Sequence, residues 1–301
     1  MGGDLTILVF AFRKSEIHEW LRRHRGARFD SVRIVCAYRL DDVDSDRAVE
    51  QVCTMFQGTY SGLARIQQCL ALVDTPYILL AAGDDQIVSI PEDVGECLPT
   101  RIAIAGNAFF QAGSRVHPSS NNSLILTDTP ADLVQRYWTL PNPGDNCLFY
   151  SIFPVETFKQ IVAATGEYEG SDWYFVHRFL LSCPFSRNPS LVISRQLPPQ
   201  ENHYTRRFLE RLSLAGLDKA AWPFHNPLLR AFRNIYEVTP SSMVSLLQPR
   251  WATWLRMKYD EMARADEEYR DLITSADVAQ VSSEMASRLG TITESQLPPP
   301  C

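Results

Sequence analysis

Three largely apolar runs, with helix-forming segments around them, constrain the fold of this 301-residue chain more than any other feature. The runs cover residues 5–12, 31–38 and 77–82, and they are rich in β-branched and aliphatic residues, which favour strands. Strands without polar alternation are typical of a sheet that is covered by helices. Apolar residues at helical spacing follow the first run near Trp20 and precede the third run over residues 63–73. The pattern predicts an α/β fold with a mostly parallel central sheet flanked by helices.

The chain changes character after about residue 205, where leucine and aromatic residues recur at helical spacing and apolar runs cease. We therefore predict two parts, an α/β domain over residues 1–205 and a helical C-terminal region over residues 206–301 with a frayed tail. Shorter patterns predict strands at 101–105 and 191–193, helices at 131–138 and 172–181, and a plain loop at 119–123.

Composition narrows the class of protein. Hydrophobic residues make up 45% of the chain and charged residues 21%, as in globular rather than disordered proteins. The net charge of -6 disfavours nucleic acid as a partner, because such proteins usually carry a basic face. We expect no transmembrane segment, since no run reaches the roughly 18 apolar residues required. Without a signal-peptide pattern, the expected location is the cytoplasm, either free or peripheral to the inner face of a membrane.

An acidic turn, Gly83-Asp84-Asp85, follows directly after the third apolar run. In open α/β sheets, ligands bind beyond the carboxyl ends of the strands, which is where this turn is predicted to lie. Carboxylates at such an end suit Mg²⁺ or Mn²⁺, which prefer oxygen ligands. Acidic turns also occur without any ligand, so the turn by itself fits a binding role and a purely structural role equally well.

The segments around this turn resemble the central signature of family 2-like glycosyltransferases with the GT-A fold. Residues 60–65 match the helix that carries an Ala-Arg pair, and residues 75–85 match a Thr-Pro-Tyr strand followed by a D-x-D metal motif. The first strand, ending at Arg13, is similar to the strand that meets the nucleotide base in that family. The resemblance implies transfer of a sugar from a nucleotide-diphosphate donor, with a UDP-sugar favoured, to a saccharide or another hydroxyl acceptor.

The same resemblance implies site residues. The nucleotide-sugar contacts would be Phe10, Phe12, Arg13, Asp41, Asp42, Arg65, Gly83, Asp84 and Asp145. The ligands of Mg²⁺ or Mn²⁺ would be Asp84, Asp85 and His203. Asp172, at the head of a predicted helix, matches the catalytic base of an inverting reaction, and the alternative is that it only caps that helix. We expect acceptor choice to lie in the helical C-terminal region and in the loops over residues 110–150, where the resemblance is weakest.

The chain departs from the family pattern at three positions, one of which is Arg13, where many relatives carry Asn. Ala82 stands where the D-x-D motif has its first acid, and Ser171 stands where the base motif has a glutamate. Two alternatives therefore stay open. The chain can be a nucleotidyltransferase of the same fold, although residues 12–15 lack the glycines of the phosphate loop in those enzymes. It can also be a non-catalytic protein that binds nucleotides or sugars.

Overall fold

The computed structural model describes residues 4–24, 32–46, 51–58, 62–92, 94, 102–126, 129–141, 146–165, 171–196 and 234–265. The chain divides into two compact units, Met1–Leu197 and Pro198–Cys301. No helix in the described ranges is both long enough and apolar enough to cross a membrane.

The first unit is built on one mixed sheet. Its strands are β1 (Leu5–Phe10), β2 (Val32–Tyr38), β3 (Thr54–Gln57), β4 (Tyr77–Ala82), β5 (Gln86–Ser89), β6 (Ala103–Ala112), β7 (Arg115–Pro118), β8 (Ile152–Pro154) and β9 (Phe185–Gln196). They are ordered β3-β2-β1-β4-β8-β6-β9-β5, and β7 pairs with β6 outside this path. Strands β3, β2, β1 and β4 run parallel, β8 runs antiparallel to both β4 and β6, and β9 runs parallel to β6.

Helices flank this sheet and confirm the predicted α/β class. In the first unit they are α1 (Lys14–Arg23), α2 (Gly62–Cys69), α3 (Pro130–Trp138), α4 (Val155–Ala164) and α5 (Ser171–Ser182). Short 3₁₀ helices cover Leu70–Leu72, Ser120–Ser123 and Cys147–Tyr150. In the second unit, residues 234–238 are helical and α6 spans Ser241–Ala265, so its described part is helical as predicted.

Burial explains why β1 and β4 lack polar alternation. Ile7 and Leu8 of β1 and Leu79 and Leu80 of β4 are all 0% exposed. A separate aromatic cluster joins β8 to the neighbouring helices, with the ring centroids of Phe153 and Phe179 4.1 Å apart. This packing against β8 fixes helix α5, and therefore the position of Asp172 near its start.

Several elements differ in extent from the sequence prediction. The strand predicted at 101–105 is β6 over Ala103–Ala112, and the one predicted at 191–193 is β9 over Phe185–Gln196. These two strands pair in parallel along most of their lengths, so their polar residues gain backbone hydrogen bonds that no apolar pattern announces. The plain loop predicted at 119–123 is a 3₁₀ turn in which the amide of Asn122 bonds the N–H and carbonyl of Ala108, both at 2.8 Å.

Candidate functional site

The acidic turn lies beside the end of the first strand. Phe10 and Ala82 are paired at the carboxyl ends of β1 and β4, and the Gly83 N–H donates to the Phe10 carbonyl at 3.0 Å. Gly83 packs so closely that a Cβ there would lie 2.9 Å from the Cβ of Ala11. The absence of a side chain at this position therefore lets the turn sit directly on the β1 end.

Arg23, in the last turn of α1, holds the backbone of this turn. Its Nη2 donates to the Gly83 carbonyl at 2.6 Å, and its Nη1 donates to the Asp84 carbonyl at 3.2 Å. The contact joins residues about 60 positions apart and involves backbone acceptors, so no local sequence pattern could have marked it. It leaves the side chain of Asp84 exposed at the surface.

A buried histidine secures the strand that follows the turn. The Ile87 N–H donates to His24 Nε2 at 3.0 Å, so Nε2 carries no proton and Nδ1 donates to the Trp20 carbonyl at 2.7 Å. The imidazole also stacks on the Trp20 ring with centroids 3.8 Å apart. Burial lowers the pKa of His24, which keeps the ring in this neutral form. His24 therefore anchors β5 beneath the acidic turn.

Asp85 is only 2% exposed, whereas its neighbour Asp84 is exposed to solvent. Its Oδ1 lies 3.8 Å from Nε of Arg195, on β9. Burial raises the pKa of Asp85 to about 6, an effect that the Arg195 charge and the Tyr150 hydroxyl partly offset. Its Oδ2 makes no hydrogen bond to any residue in the described ranges. Among the described residues, that oxygen therefore has lone pairs open to a ligand or a water molecule.

Asp172 belongs to the same group of charges. It is the second residue of α5, and its Oδ1 accepts a hydrogen bond from the Trp173 N–H at 3.1 Å. Burial raises the pKa of Asp172, while the Asn146 amide and the Arg195 charge act against that rise. The Asn146 side chain acts on Asp172, and its Nδ2 makes no hydrogen bond to any residue in the described ranges. The positive charge of Arg195 therefore acts on both Asp172 and Asp85.

Asn146 is held in the left-handed region, with a φ of 51°, just before the 3₁₀ helix Cys147–Tyr150. The Tyr137 hydroxyl donates to its Oδ1 at 3.1 Å and helps to hold the side chain in place. Asn146 is only 3% exposed. Asn146, Tyr150 and Arg195 were not predicted as site residues.

The acidic residues after β2 bind the start of α1. The Ser15 N–H and hydroxyl donate to the two carboxylate oxygens of Asp42 at 3.0 and 2.7 Å. Slight burial opposes ionisation, but these hydrogen bonds outweigh it and lower the pKa of Asp42. Asp41 lies 3.3 Å from the buried ammonium group of Lys14. Asp41 and Asp42 therefore have structural partners, and their contact with a nucleotide stays a prediction.

The other predicted nucleotide contacts fall into three groups. Phe10 and Phe12 lie at the end of β1, with the Phe10 ring 6.2 Å from that of Phe149 and the Arg39 guanidinium 5.6 Å from the Phe12 centroid. Arg13 directly precedes α1, and its backbone forms an isolated parallel β-bridge with Leu40. Arg65 is only 4% exposed, and a Cβ on residue 58 would lie 2.7 Å from its Cγ. Asp145 and the predicted metal ligand His203 lie outside the described residues.

Within the described ranges, no group of three or more His, Cys, Asp and Glu side chains is arranged to hold a metal ion. Asp84 and Asp85 are the predicted ligands that the structure describes. Two carboxylates alone leave most of the coordination sphere of Mg²⁺ or Mn²⁺ to water and to oxygens of a bound substrate.

The chain is similar to solved structures of S. aureus TarS. No protein-family model and no curated protein matches the chain. A structure of S. aureus TarS 1–349 is 14% identical, covers 98% of this chain and 91% of that chain, and has a TM-score of 0.49. Its complex with UDP-GlcNAc has the same identity and coverage and a TM-score of 0.47. Its complex with UDP is 11% identical, covers 91% of this chain and 93% of that chain, and has a TM-score of 0.49. These identities and TM-scores are low, so any function has to be argued from the site itself.

Proposed function

We propose that the chain is a glycosyltransferase that moves a sugar from a nucleotide-diphosphate donor, a UDP-sugar by preference, to an acceptor hydroxyl. The observation that carries the proposal is the charge arrangement at the acidic turn. Asp84 is exposed at the end of β4, the buried Asp85 next to it forms an ion pair with the half-buried Arg195, and Arg195 also acts on Asp172. A cation-binding face and a separate carboxylate base are the two groups that sugar transfer requires.

The nucleotide would lie at the carboxyl ends of β1 and β2, next to the turn. Phe10 ends β1 there, Phe12 and Arg13 follow it, and Gly83 lets the turn approach that end closely. Ligands of open α/β sheets bind at this edge. Asp41 and Asp42 flank the same edge and would contact the donor while they keep α1 in place.

Asp84 and Asp85 would hold Mg²⁺ or Mn²⁺. The fit rests on Oδ2 of Asp85, a buried oxygen without a hydrogen-bond partner among the described residues, next to an exposed carboxylate on the adjoining residue. Oxygen donors of this kind are what a hard divalent cation takes. When bound, the cation would neutralise charge on the departing diphosphate. His203 stays a proposed third ligand.

Asp172 would take the proton from the acceptor hydroxyl. Burial raises its pKa, so it is a stronger base than an exposed aspartate. Its place at the start of α5 fixes the carboxylate, because α5 is packed against β8 through Phe153 and Phe179. Attack by the acceptor on the face opposite the diphosphate would invert the sugar centre in a single step.

Product analysis tests this proposal. The full chain is incubated with Mn²⁺, a panel of UDP-sugars and saccharide acceptors, and the release of UDP is followed. Asp172→Asn should lower turnover by at least about a hundredfold with little change in donor KM, because general-base catalysis is lost. Asp132→Asn, a change at an exposed position on α3, serves as the matched control.

Two outcomes contradict the proposal. Formation of a nucleotide-sugar from a nucleoside triphosphate and a sugar phosphate, without sugar transfer, would identify a nucleotidyltransferase. Binding of UDP without turnover of any donor would identify a non-catalytic protein. Unchanged turnover in the Asp172→Asn variant would leave sugar transfer standing but remove Asp172 as its base.

A further inference from the structure

We infer that Arg195 is a positioning residue that holds Oδ1 of Asp85 and so leaves Oδ2 of the same carboxylate for the cation. The role depends on the proposed function, since it concerns the cation beside Asp84, but the contacts themselves do not. No sequence motif pointed to Arg195, which lies on β9, more than a hundred residues from the acidic turn.

The strand register explains how the guanidinium is held. Arg195 is paired with Phe110 across β9 and β6, and paired residues project from the same face of a sheet. The guanidinium carbon lies 5.6 Å from the Phe110 ring centroid and 4.7 Å from that of Tyr150. Contacts with two rings restrict a planar group far more than a flexible ammonium group. The direction of Arg195 is therefore set by packing, before any ligand binds.

The charge balance explains what the guanidinium does. Its Nε lies 3.8 Å from Oδ1 of Asp85, and the side chain of Asp85 is only 3% exposed, against 28% for that of Arg195. A buried carboxylate that loses its cation must find another partner or turn towards water, because an uncompensated buried charge is strongly unfavourable. Arg195 thus determines where the two oxygens of Asp85 point. The Tyr150 hydroxyl, beside the same carboxylate, supports this orientation.

This arrangement matters more here because the turn has few carboxylates. Ala82 contributes no ligand, so only Asp84 and Asp85 act on the cation from this strand end. In metal sites, partners that orient a ligand typically change metal affinity by 10- to 100-fold when they are removed. We place Arg195 in that role for Asp85.

The first arm of the test measures Mn²⁺ affinity in the full chain with saturating UDP. Arg195→Met, which keeps an unbranched stem but removes the charge, should weaken Mn²⁺ binding by at least about tenfold. Arg195→Lys should recover only part of that loss, because it restores the charge without the planar group that the two rings hold. Arg115→Met, at an exposed arginine on β7, is the control and should bind Mn²⁺ as the unaltered chain does. Equal affinity in Arg195→Met, or no recovery in Arg195→Lys, would overturn the inference.

The second arm does not depend on any activity. Urea unfolding is compared for Arg195→Met, Asp85→Asn and the double variant. The double variant should unfold with an equilibrium constant about tenfold or more below the product of the two single effects, as interacting charges require. Additive effects would overturn the inference. If the unaltered chain bound neither UDP nor Mn²⁺, the proposed function would fall, and this coupling alone would decide whether Arg195 holds Asp85.

Discussion

His177 allows a quantitative prediction about acid stability. It lies in α5, is 0% exposed, and its Nδ1 accepts a hydrogen bond from Trp138 Nε1 of α3 at 3.1 Å. Burial lowers its pKa from 6.5 to about 3. As the pH falls below 6.5, the unfolded chain takes up a proton at this residue and the folded chain does not. The stability that His177 contributes is therefore complete above pH 6.5 and is lost as the pH falls towards 3.

The magnitude follows from the two pKa values. A pH of about 5 is roughly 1.5 units below the pKa of this histidine in the unfolded chain and above its pKa in the folded chain. Proton uptake by the unfolded chain alone then lowers the free energy of unfolding by about 2 kcal/mol. His177→Gln keeps an acceptor for Trp138 but cannot be protonated. Between about pH 7.5 and pH 5, the unaltered chain should lose about 2 kcal/mol more free energy of unfolding than this variant does.

The assay is urea denaturation followed by tryptophan fluorescence and near-ultraviolet circular dichroism at both pH values. His117→Gln, a change at an exposed histidine on β7, is the control and should have the same pH dependence as the unaltered chain. The reasoning is refuted if the His177→Gln variant loses as much stability at low pH as the unaltered chain. Such a result would mean that the folded chain accommodates the protonated ring.

Three further changes test individual contacts by urea denaturation. Gly106→Ala should lower the free energy of unfolding by about 2 kcal/mol, because its Cβ would lie 2.4 Å from the Leu191 carbonyl oxygen; a loss near zero would show that β9 yields freely. Asp42→Ala should cost about 1 kcal/mol as the cap of α1 is lost, whereas a raised donor KM at unchanged stability would assign the residue to the nucleotide instead. Arg23→Met should lower the free energy of unfolding by about 1 kcal/mol, because the two hydrogen bonds to the carbonyls of the acidic turn are lost. The loss should exceed that of the control Arg22→Met, which removes only a surface ion pair with Asp46. Equal losses of unfolding free energy in these two arginine variants would contradict a stabilising role for the hydrogen bonds from Arg23 to the acidic turn.

The parts of the fold that the sequence predicted best are the buried apolar strands β1, β2 and β4 and the helices α3 and α5. β1, β2 and β4 lie in the middle of the sheet, so hydrophobic runs announce them. β3, β5 and β7 have only four residues each and lie at its margins, where the requirement for burial is weak. Their existence depends on backbone pairing with distant strands, which local patterns do not report.

The site follows the same division. Asp84, Asp85 and Asp172 were predicted because a strand end, a helix start and a family resemblance mark them locally. Arg195 and His24 were not predicted, since each acts through residues more than 60 positions away. The different environments of Asp84 and Asp85 could not be predicted either, because burial of a single turn residue depends on what β9 places against it.

The proposal of a cation-dependent nucleotide-sugar site is tested most directly by titrating UDP into the full chain with and without Mn²⁺. The proposal predicts binding that is at least about tenfold tighter with Mn²⁺, and loss of that gain in Asp84→Asn. The Asp132→Asn control should bind like the unaltered chain. UDP binding that is absent, or that is equally tight without Mn²⁺ and in Asp84→Asn, would contradict the proposal.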